Sequence, residues 1–313
     1  MELLGTLPII TLNNGIYEAK ISPRTGGMLL SLKKNGVEVL HCPGSQEELQ
    51  EAVTSYGYPL LFPPNRIEDG RFTAAGKTYQ FPLNEPARNN SLHGFLHKRE
   101  WMVDAYSDTS CSLLFVGDED TAFFEYFPCY FVIYREYELT EEGLKETTRI
   151  INDGEEPMPL GLGFHTAFRV DEDTKVLVSV GQRVETTERM LPSGVVRDLN
   201  EAEIPFRTTG MDPMAFPMDD LYTVKELEID GKPFHGAIIE TREAVATYKV
   251  DEFFRHWVMW NSKQKGGFMC IEPQNWRINA PNLVETLGEA AGMDMLEAGE
   301  EVSVTTFLSV ENK

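Results

Sequence analysis

Two residues of the sequence have the chemistry and the setting for acid–base catalysis. Glu272 ends the apolar run Phe268–Ile271, so its carboxylate is expected to emerge from a buried wall, where reduced hydration raises its pKa. His165 follows two glycines, Gly161 and Gly163, and glycines within a strand commonly mark bulges or a close backbone approach. A water-facing edge Glu and a core His are the alternative interpretations. The raised pKa would make Glu272 a better base, and the His165 imidazole titrates near neutral pH.

Arg66 is the candidate for holding the oxygen atoms of a ligand. It follows an apolar, Pro-rich stretch that ends in Asn65, and it precedes a Gly-containing turn. This setting suggests a guanidinium held at the edge of a sheet, with five N–H donors for hydroxyl or carboxylate oxygens. An ordinary surface arginine paired with Glu68 or Asp69 fits the same segment, and both interpretations stay open.

Three further segments contain candidate site residues. His93 precedes Gly94 in a turn that something can approach closely, although a lone His is more often structural. Asp219 and Asp220 precede an aromatic residue, but paired Asp residues in an acidic chain are usually solvated. Tryptophans are possible platforms for the C–H face of a sugar, although a strand Trp is more often core. The tryptophans in question are Trp257, Trp260 and Trp276.

The sequence lacks the usual motifs of nucleotide and metal chemistry. It has no G-x-G-x-x-G and no complete G-x-x-x-x-G-K-[ST] phosphate loop, because Gly76-Lys77-Thr78 has Arg71 where the first Gly would stand. It also has no H-E-x-x-H, no G-x-S-x-G and no cluster of Cys and His. We therefore expect neither a metal nor a cofactor. The four cysteines are widely spaced and form no C-x-x-C pair, which predicts buried reduced thiols.

The charge balance argues against several classes of partner. The chain has 313 residues, 28 of them basic and 50 acidic, for a formal net charge of −22. Such a chain repels phosphate backbones and anionic membrane surfaces, so we expect it to bind neither nucleic acid nor a membrane. No apolar stretch approaches the ~18 residues of a membrane span, and the N-terminus lacks the features of a secretory signal. The sequence therefore predicts a cytoplasmic protein.

Short β-runs separated by turn dipeptides predict an all-β fold. The clearest hairpin is Met28–Leu40, because Asn35-Gly36 supplies the positive φ angles of a type I′ turn. The only helical signal is a Ser cap with Glu three positions on, at 45–52. Other predicted strand segments lie at 72–81, 130–139, 144–151, 176–184, 228–232, 236–250, 256–260, 268–271 and 302–310.

Many strands with few helices require sheets packed on sheets, since each half-apolar face must be covered by another. No Gly/Ser-rich linker and no repeat of fixed period marks a domain boundary. We therefore predict one large antiparallel β-sandwich domain over residues 1–313. Two smaller sandwiches joined near 152–157 are the alternative.

Six short motifs occur in one order along residues 58–282. They are Asn65-Arg66-Ile67, Gly70-x-Phe72, Gly76-x-x-Tyr79, Leu92-His93-Gly94, Gly163-Phe164-His165, and Glu272-Pro273-Gln274 with Asn279-Ala280-x-Asn282. In this order the chain resembles the aldose 1-epimerase (mutarotase) family. The resemblance implies a large antiparallel β-sandwich of the kind called a supersandwich, and isomerase activity on a sugar without a cofactor.

The resemblance also implies a role for each matching position. Glu272 would be the general base that takes the proton of the anomeric C1 hydroxyl, and His165 the general acid that protonates the ring oxygen. His93 would assist the acid or hold the sugar. The predicted substrate-binding residues are Arg66, Asn65, Asp219 and Trp260, with Asp220 as the alternative to Asp219.

Two positions depart from the pattern of the family. His93-Gly94 is followed by Phe95, where galactose enzymes usually have a second Gly, and His165 is followed by Thr166 in place of Pro. Both changes are expected to lie at the pocket. They leave the acid–base pair intact and indicate a divergent branch whose natural sugar stays open.

The leading hypothesis is a cofactor-independent aldose 1-epimerase acting on a free hexose or a related aldose, as a monomer or homodimer. Opening a hemiacetal requires a base and an acid that face each other across the ring. One alternative is a hexose-6-phosphate 1-epimerase, and another is a catalytically silent sugar-binding or regulatory protein. The dense basic residues available for a phosphate are Arg66, Arg71, Lys98 and Arg99. Because a neutral sugar is indifferent to the charge of −22, the free aldose comes first.

Overall fold

The computed structural model describes residues 2–313, and its hairpins follow the predicted turns. Strands Met28–Lys34 and Val37–Glu38 flank Asn35 and Gly36, whose φ angles are 49° and 84°. Positive φ at both turn positions matches the right-handed twist of the strands. The Met28–Leu40 hairpin is therefore confirmed.

Most strands belong to two eight-stranded sheets, here called sheet A and sheet B, and to one five-stranded sheet near the N-terminus. Sheet A runs in the order Met102–Tyr106, Ser110–Gly117, Phe131–Leu139, Leu144–Asn152, Glu301–Asn312, Ala244–Val250, Gly236–Glu240 and Lys175–Val178. Sheet B runs in the order Pro192–Arg197, Val180–Thr186, Asp219–Val224, His256–Trp260, Phe268–Gln274, Gly163–Phe164 and Leu60–Leu61, with Thr166–Arg169 also paired to Phe268–Gln274. The N-terminal sheet contains Glu2–Leu4, Leu7–Asn13, Tyr17–Ser22, Met28–Lys34 and Val37–Glu38.

Smaller elements complete the chain. The two-stranded ribbons are Arg66–Glu68 with Asn90–Leu92, Arg71–Ala74 with Lys77–Gln80, Met158–Leu160 with Asp294–Leu296, and Leu227–Ile229 with Lys232–Phe234. The α-helices are Gln46–Glu51 and Ala280–Leu287, and the 3₁₀ helices are Val53–Ser55, Pro86–Arg88, Leu96–Lys98, Ile204–Arg207 and Gly288–Ala291. Within residues 2–313, none of these helices is long and apolar enough to cross a membrane.

Sheets A and B pack face to face, which confirms the predicted all-β antiparallel sandwich. Phe168 of sheet B lies against Tyr248 of sheet A with ring centroids 5.6 Å apart. The Thr166 hydroxyl donates to the Tyr248 hydroxyl at 3.2 Å. Strand Leu144–Asn152 pairs with Glu301–Asn312, so sheet A is built from both sides of the 152–157 turn. One domain over residues 1–313 stays a prediction.

The segments predicted as strands at 176–184 and 236–250 each form two strands. The first divides at Ser179, where the chain passes from sheet A to sheet B. The Ser179 hydroxyl accepts hydrogen bonds from Trp257 Nε1 at 3.1 Å and from the Gly236 N–H at 3.0 Å. These bonds stabilise the crossing, and they come from residues more than fifty positions away. Local strand propensity therefore could not reveal the division.

The structure confirms one helix and adds another. Helix Gln46–Glu51 begins after Ser45, whose hydroxyl accepts the Glu48 N–H at 3.2 Å. Helix Ala280–Leu287 has no counterpart among the predicted elements. Pro281 stands in its first turn, where the missing N–H costs nothing.

A fully buried ion pair joins two neighbouring strands of sheet A. Arg135 Nε lies 3.1 Å from Glu146 Oε1, and the two side chains are 0% and 1% exposed. The guanidinium also donates to the carbonyls of Gly26 at 3.2 Å and Tyr58 at 3.3 Å. A buried charge is costly unless it is paired and hydrogen-bonded. These contacts therefore hold sheet A to Gly26, next to strand Met28–Lys34 of the N-terminal sheet, and to Tyr58, next to strand Leu60–Leu61 of sheet B.

Strand alternation divides sheet B into a core face and an outer face. Ile271 and Met259 pair across two central strands and belong to the main hydrophobic core. Their neighbours Glu272 and Trp260 therefore point to the opposite, outer face. The outer face of sheet B is the surface on which the candidate residues meet.

Candidate active site

His165 and Glu272 form a contact pair on the outer face of sheet B. The register pairs Thr166 with Ile271 and Gly163 with Gln274, which places His165 opposite Glu272 at a break between two short strands. His165 Nε2 lies 3.1 Å from Glu272 Oε1. The residues are 5% and 1% exposed. The predicted acid and base are thus brought together in a largely dry setting.

Burial raises the pKa of Glu272 and lowers the pKa of His165. Loss of hydration raises the pKa of Glu272 well above its usual value, the Asp219 carboxylate raises it further, and Arg66 opposes both. Burial lowers the pKa of His165 to about 3. Burial therefore favours the protonated form of Glu272 and the neutral form of His165. Glu272 Oε2 and His165 Nδ1 have no hydrogen-bond partner within residues 2–313.

His93 is held beside the pair by a strained turn. His93 and Gly94 have φ angles of 63° and 56°, and the His93 N–H donates to the Asn65 carbonyl at 2.9 Å. A Cβ on Gly94 would lie 1.9 Å from the Phe62 carbonyl oxygen, so only glycine fits there. The His93 ring stands perpendicular to that of His165 at 5.2 Å. Burial and the neighbouring His165 lower the pKa of His93, which keeps its imidazole neutral.

Arg66 is buried and bound to two carboxylates. Its Nε lies 3.0 Å from Glu85 Oε2, and its Nη2 lies 3.3 Å from Asp219 Oδ2. The alternative of an exposed arginine paired with Glu68 or Asp69 is wrong, because both of those carboxylates bind Arg189. Asn65 uses its side-chain oxygen to accept the Arg66 N–H at 2.9 Å, so it supports Arg66.

Asp219 and Asp220 point to opposite sides of their strand. Asp219 contacts Arg66, whereas Asp220 forms an ion pair with Arg183 at 2.6 Å. Asp219 is also paired in register with Trp260 on the next strand. Asp219 is therefore the one of the two that lies with the other candidates.

Of the three tryptophans, Trp260 lies at the site. Its ring is partly exposed, and its centroid is 5.8 Å from that of His165. Trp257 and Trp276 are 0% and 1% exposed, so they are core residues. The residue type was equally suggestive at all three positions, and only burial separates them.

Phe95 and Thr166, the two departures from the family pattern, do not both lie beside the His165–Glu272 pair. Thr166 is fully buried between the sheets, where it bonds Tyr248, so its expected place at the pocket is wrong. The cause is strand alternation, which turns Thr166 away from the side occupied by His165. Phe95 packs in an aromatic cluster, with its ring 5.7 Å from Phe81 and 5.6 Å from Tyr126.

The basic residues considered for a phosphate are in different environments. Arg66 is neutralised by Glu85 and Asp219. Arg71 lines a separate surface cavity of about 780 Å³ that also contains acidic side chains. Those acidic residues are Glu68, Asp69 and Glu285. Lys98 is exposed at the end of a 3₁₀ helix.

Glu85 is the site residue that sequence reasoning missed. It precedes the 3₁₀ helix Pro86–Arg88 and carries no motif, in a chain with 50 acidic residues. Its partner Arg66 lies 19 positions away on another element. Within residues 2–313, no group of three or more His, Cys, Asp or Glu is arranged to hold a metal.

Comparison with known families gives a match over nearly the whole chain. The family model described as aldose 1-epimerase matches residues 8–309. Two Escherichia coli K12 proteins described as uncharacterised, YphB and YihR, are 26% and 33% identical to this chain over 170 and 104 residues. These matches cover 54% and 33% of this chain, and 55% and 32% of the relatives. The chain thus spans about half of YphB and a third of YihR.

Solved structures match over the full length. A galactose mutarotase-like protein from Clostridium acetobutylicum is 32% identical, with a TM-score of 0.94 and coverage of 100% of this chain and 98% of that chain. The galactose 1-epimerase from Lactobacillus acidophilus NCFM has a TM-score of 0.75 at 15% identity, covering 100% of this chain and 97% of that one. The second likeness is one of fold alone.

Proposed function

Because this chain belongs to the aldose 1-epimerase family, whose members are isomerases acting on carbohydrates, we propose that it interconverts the α and β anomers of a free aldose. The observation that carries this proposal is the contact at 3.1 Å between His165 Nε2 and Glu272 Oε1 in a buried site. A purely binding protein needs hydrogen-bond partners for a sugar, but it has no need of two proton carriers in contact.

The proposed reaction moves two protons and breaks one bond. Glu272 takes the proton of the C1 hydroxyl while His165 gives a proton to the ring oxygen, so the bond between C1 and the ring oxygen breaks and a carbonyl forms at C1. Rotation about C1–C2 presents the other face of the carbonyl. Ring closure then returns both protons to their donors, which restores the pair and inverts the anomeric centre.

The contact between Glu272 and His165 explains how a pair that holds one proton can both take a proton from the C1 hydroxyl and give one to the ring oxygen. Before a sugar binds, the shared proton is proposed to reside on Glu272, because burial disfavours both the carboxylate of Glu272 and the imidazolium of His165. Its transfer along the hydrogen bond to His165 produces the carboxylate and the imidazolium that ring opening requires. The two groups would therefore titrate as a unit, with pKa values that belong to the pair.

Arg66, Asp219 and Trp260 are proposed to hold the sugar. Arg66 Nη2 and Asp219 Oδ2, which are 3.3 Å apart, offer a donor and an acceptor for the hydroxyls of the sugar. Trp260 offers an apolar ring next to His165. His93 is proposed to hydrogen-bond the sugar through its neutral imidazole. Asn65 supports this set through the backbone of Arg66 and His93.

We expect the wild-type protein to accelerate the exchange between anomers of at least one free aldose. Each positioned proton carrier typically contributes about 10²–10⁴-fold, so the acceleration should be plain against the spontaneous rate. Exchange NMR or polarimetry on freshly dissolved α-glucose, α-galactose and other free aldoses would measure it. Rates equal to those in buffer for the whole panel would contradict the proposed function.

We expect a bell-shaped pH dependence of kcat/KM with a broad plateau. On the acid side activity is lost when the pair binds a second proton, and burial places this step near the pKa of about 3 of His165, below the usual value for histidine. On the alkaline side activity is lost when the single proton leaves Glu272, whose pKa is raised. The profile would be measured by exchange NMR, and a loss of activity centred on the usual pKa of histidine would contradict a buried neutral His165.

A further inference from the structure

Arg66 makes an ion pair with Glu85 that the acid–base chemistry does not use. We infer that Glu85 positions Arg66 in the site and cancels its positive charge there, so that Arg66 binds hydroxyls of an uncharged sugar in preference to an anion. This inference rests on the proposed function and assigns Glu85 a role in substrate selection.

The ion pair is bidentate and nearly dry. Arg66 Nε donates to Glu85 Oε2 at 3.0 Å and Oε1 at 3.2 Å, and Nη2 donates to Oε1 at 3.2 Å. The side chains of Arg66 and Glu85 are 7% and 12% exposed. A planar guanidinium that is hydrogen-bonded to a carboxylate along one edge has a fixed orientation. Nη2 reaches Asp219 in this orientation, and Nη1 makes none of these bonds.

Glu85 is itself held in place by its own loop. It accepts hydrogen bonds from Arg88 Nη1 at 2.8 Å and Asn90 Nδ2 at 3.0 Å. The backbones of Glu85 and Asn90 are also bridged. Although burial opposes the ionised form, the bonds from Arg66, Asn90 and Arg88 lower the pKa of Glu85, so it remains a carboxylate at neutral pH. A residue that only filled space would not need this set of partners.

The local sum of charges explains the expected selectivity. Arg66 contributes one positive charge, and Glu85 and Asp219 each contribute one negative charge, so the three together carry −1. Asp219 and Arg88 are comparably exposed, at 35% and 40%, and Arg88 also pairs with Glu85, so the four groups together carry no net charge. Arg66 therefore has no uncompensated positive charge to attract an anionic ligand, whereas a neutral sugar is unaffected.

Glu85 also acts indirectly on Glu272. Arg66 lowers the pKa of Glu272, and Asp219 raises it. Removing the charge of Glu85 would leave the charge of Arg66 compensated by Asp219 alone, so the pKa of Glu272 would fall. The titratable and charged groups that act on Glu272 or contact it are His165, Arg66, Asp219 and Cys270, with His93 next to His165.

The test compares Glu85→Gln, which removes the charge, with Glu85→Asp, which keeps the charge and withdraws the carboxylate. Glu100→Gln is the control, since it removes one charge from an exposed pair with Arg24. Three quantities are measured: the pKa of Glu272 by ¹³C NMR titration, the KM for an aldose, and the Ki of the matching uronate. Suitable pairs are glucose with glucuronate and galactose with galacturonate.

We expect the wild-type Ki for the uronate to exceed the KM for the aldose by about ten-fold or more, as for one charged hydrogen bond gained or lost. Glu85→Gln should lower both the pKa of Glu272 and this Ki. Glu85→Asp should raise the KM roughly ten-fold and leave the pKa of Glu272 unchanged. Glu100→Gln should match the wild type in all three quantities.

Several results would overturn the inference. One is a wild-type protein that binds the uronate as tightly as the aldose, which is decisive even if Glu85→Gln does not fold. Others are an unchanged KM in Glu85→Asp, or an unchanged Glu272 titration in Glu85→Gln. Because the NMR titration needs no substrate, it reports on Glu85 even if the wild type fails to exchange anomers, a result that would count against the proposed function instead.

Discussion

Replacing Glu272 by Gln is expected to slow anomer exchange by about 10²–10⁴-fold while the protein stays folded. The amide has the shape of the carboxyl and can still hydrogen-bond His165 Nε2, which lies 3.1 Å from Glu272 Oε1. It cannot accept the proton of the C1 hydroxyl. Exchange NMR under saturating and limiting aldose would show a fall in kcat with little change in KM, because the lost interaction is one of the transition state.

The same substitution should not reduce stability at neutral or alkaline pH. Burial raises the folded-state pKa of Glu272, so its contribution to stability is fully present below the unfolded value of about 4.3 and is lost as pH rises through the folded value. At pH 8, Glu272→Gln should therefore unfold at an equal or higher urea concentration than the wild type. Exchange within a few-fold of the wild-type rate would contradict the role of Glu272, and a strongly destabilised variant would contradict its raised pKa.

Replacing Arg135 by Met is expected to lower the free energy of unfolding by about 3–5 kcal/mol. The change leaves Glu146, which is 1% exposed, without its ionic partner between the sheets. It also removes hydrogen bonds to the Gly26 and Tyr58 carbonyls and a cation over the Tyr58 ring, 5.4 Å from its centroid. Urea unfolding monitored by circular dichroism would measure the loss.

The double variant Arg135→Met/Glu146→Leu separates the cost of an unpaired charge from the value of the pair. Because apolar side chains of similar size often replace a buried ion pair at little cost, the double variant should regain most of the lost stability. If Arg135→Met lost less than about 1 kcal/mol, water or a rearranged partner would have to reach Glu146. If the double variant were no more stable than Arg135→Met, the hydrogen bonds of Arg135 to the Gly26 and Tyr58 carbonyls would contribute more to stability than its pairing with Glu146.

Local chemistry made a large part of the fold predictable. Asn35-Gly36 forms the expected turn because few other residues adopt two successive positive φ angles. Ser45 caps a helix because its hydroxyl reaches a free N–H within three residues. Each of these features depends on atoms that are close in the chain, so the sequence pattern alone predicts them.

Contacts between distant segments were not predictable in the same way. Ser179 ends one strand and starts another because Trp257 and Gly236 bond its hydroxyl. Thr166 follows His165 directly, yet it faces Tyr248 in the core. In both cases the deciding partner is far along the chain, and only the packed sheets show which face of a strand a residue occupies.

For the candidate site, residue types and their spacing were enough to single out Glu272, His165, His93 and Arg66, which follow the order of the family motifs. Which of these residues meet, and how they are charged, depends on the packing of the sheets. The tertiary structure brought His165 into register with Glu272, selected Asp219 over Asp220, and introduced Glu85. The physical reason is that residue type sets what a group can donate or accept, whereas burial and the charges of distant partners set its pKa and orientation.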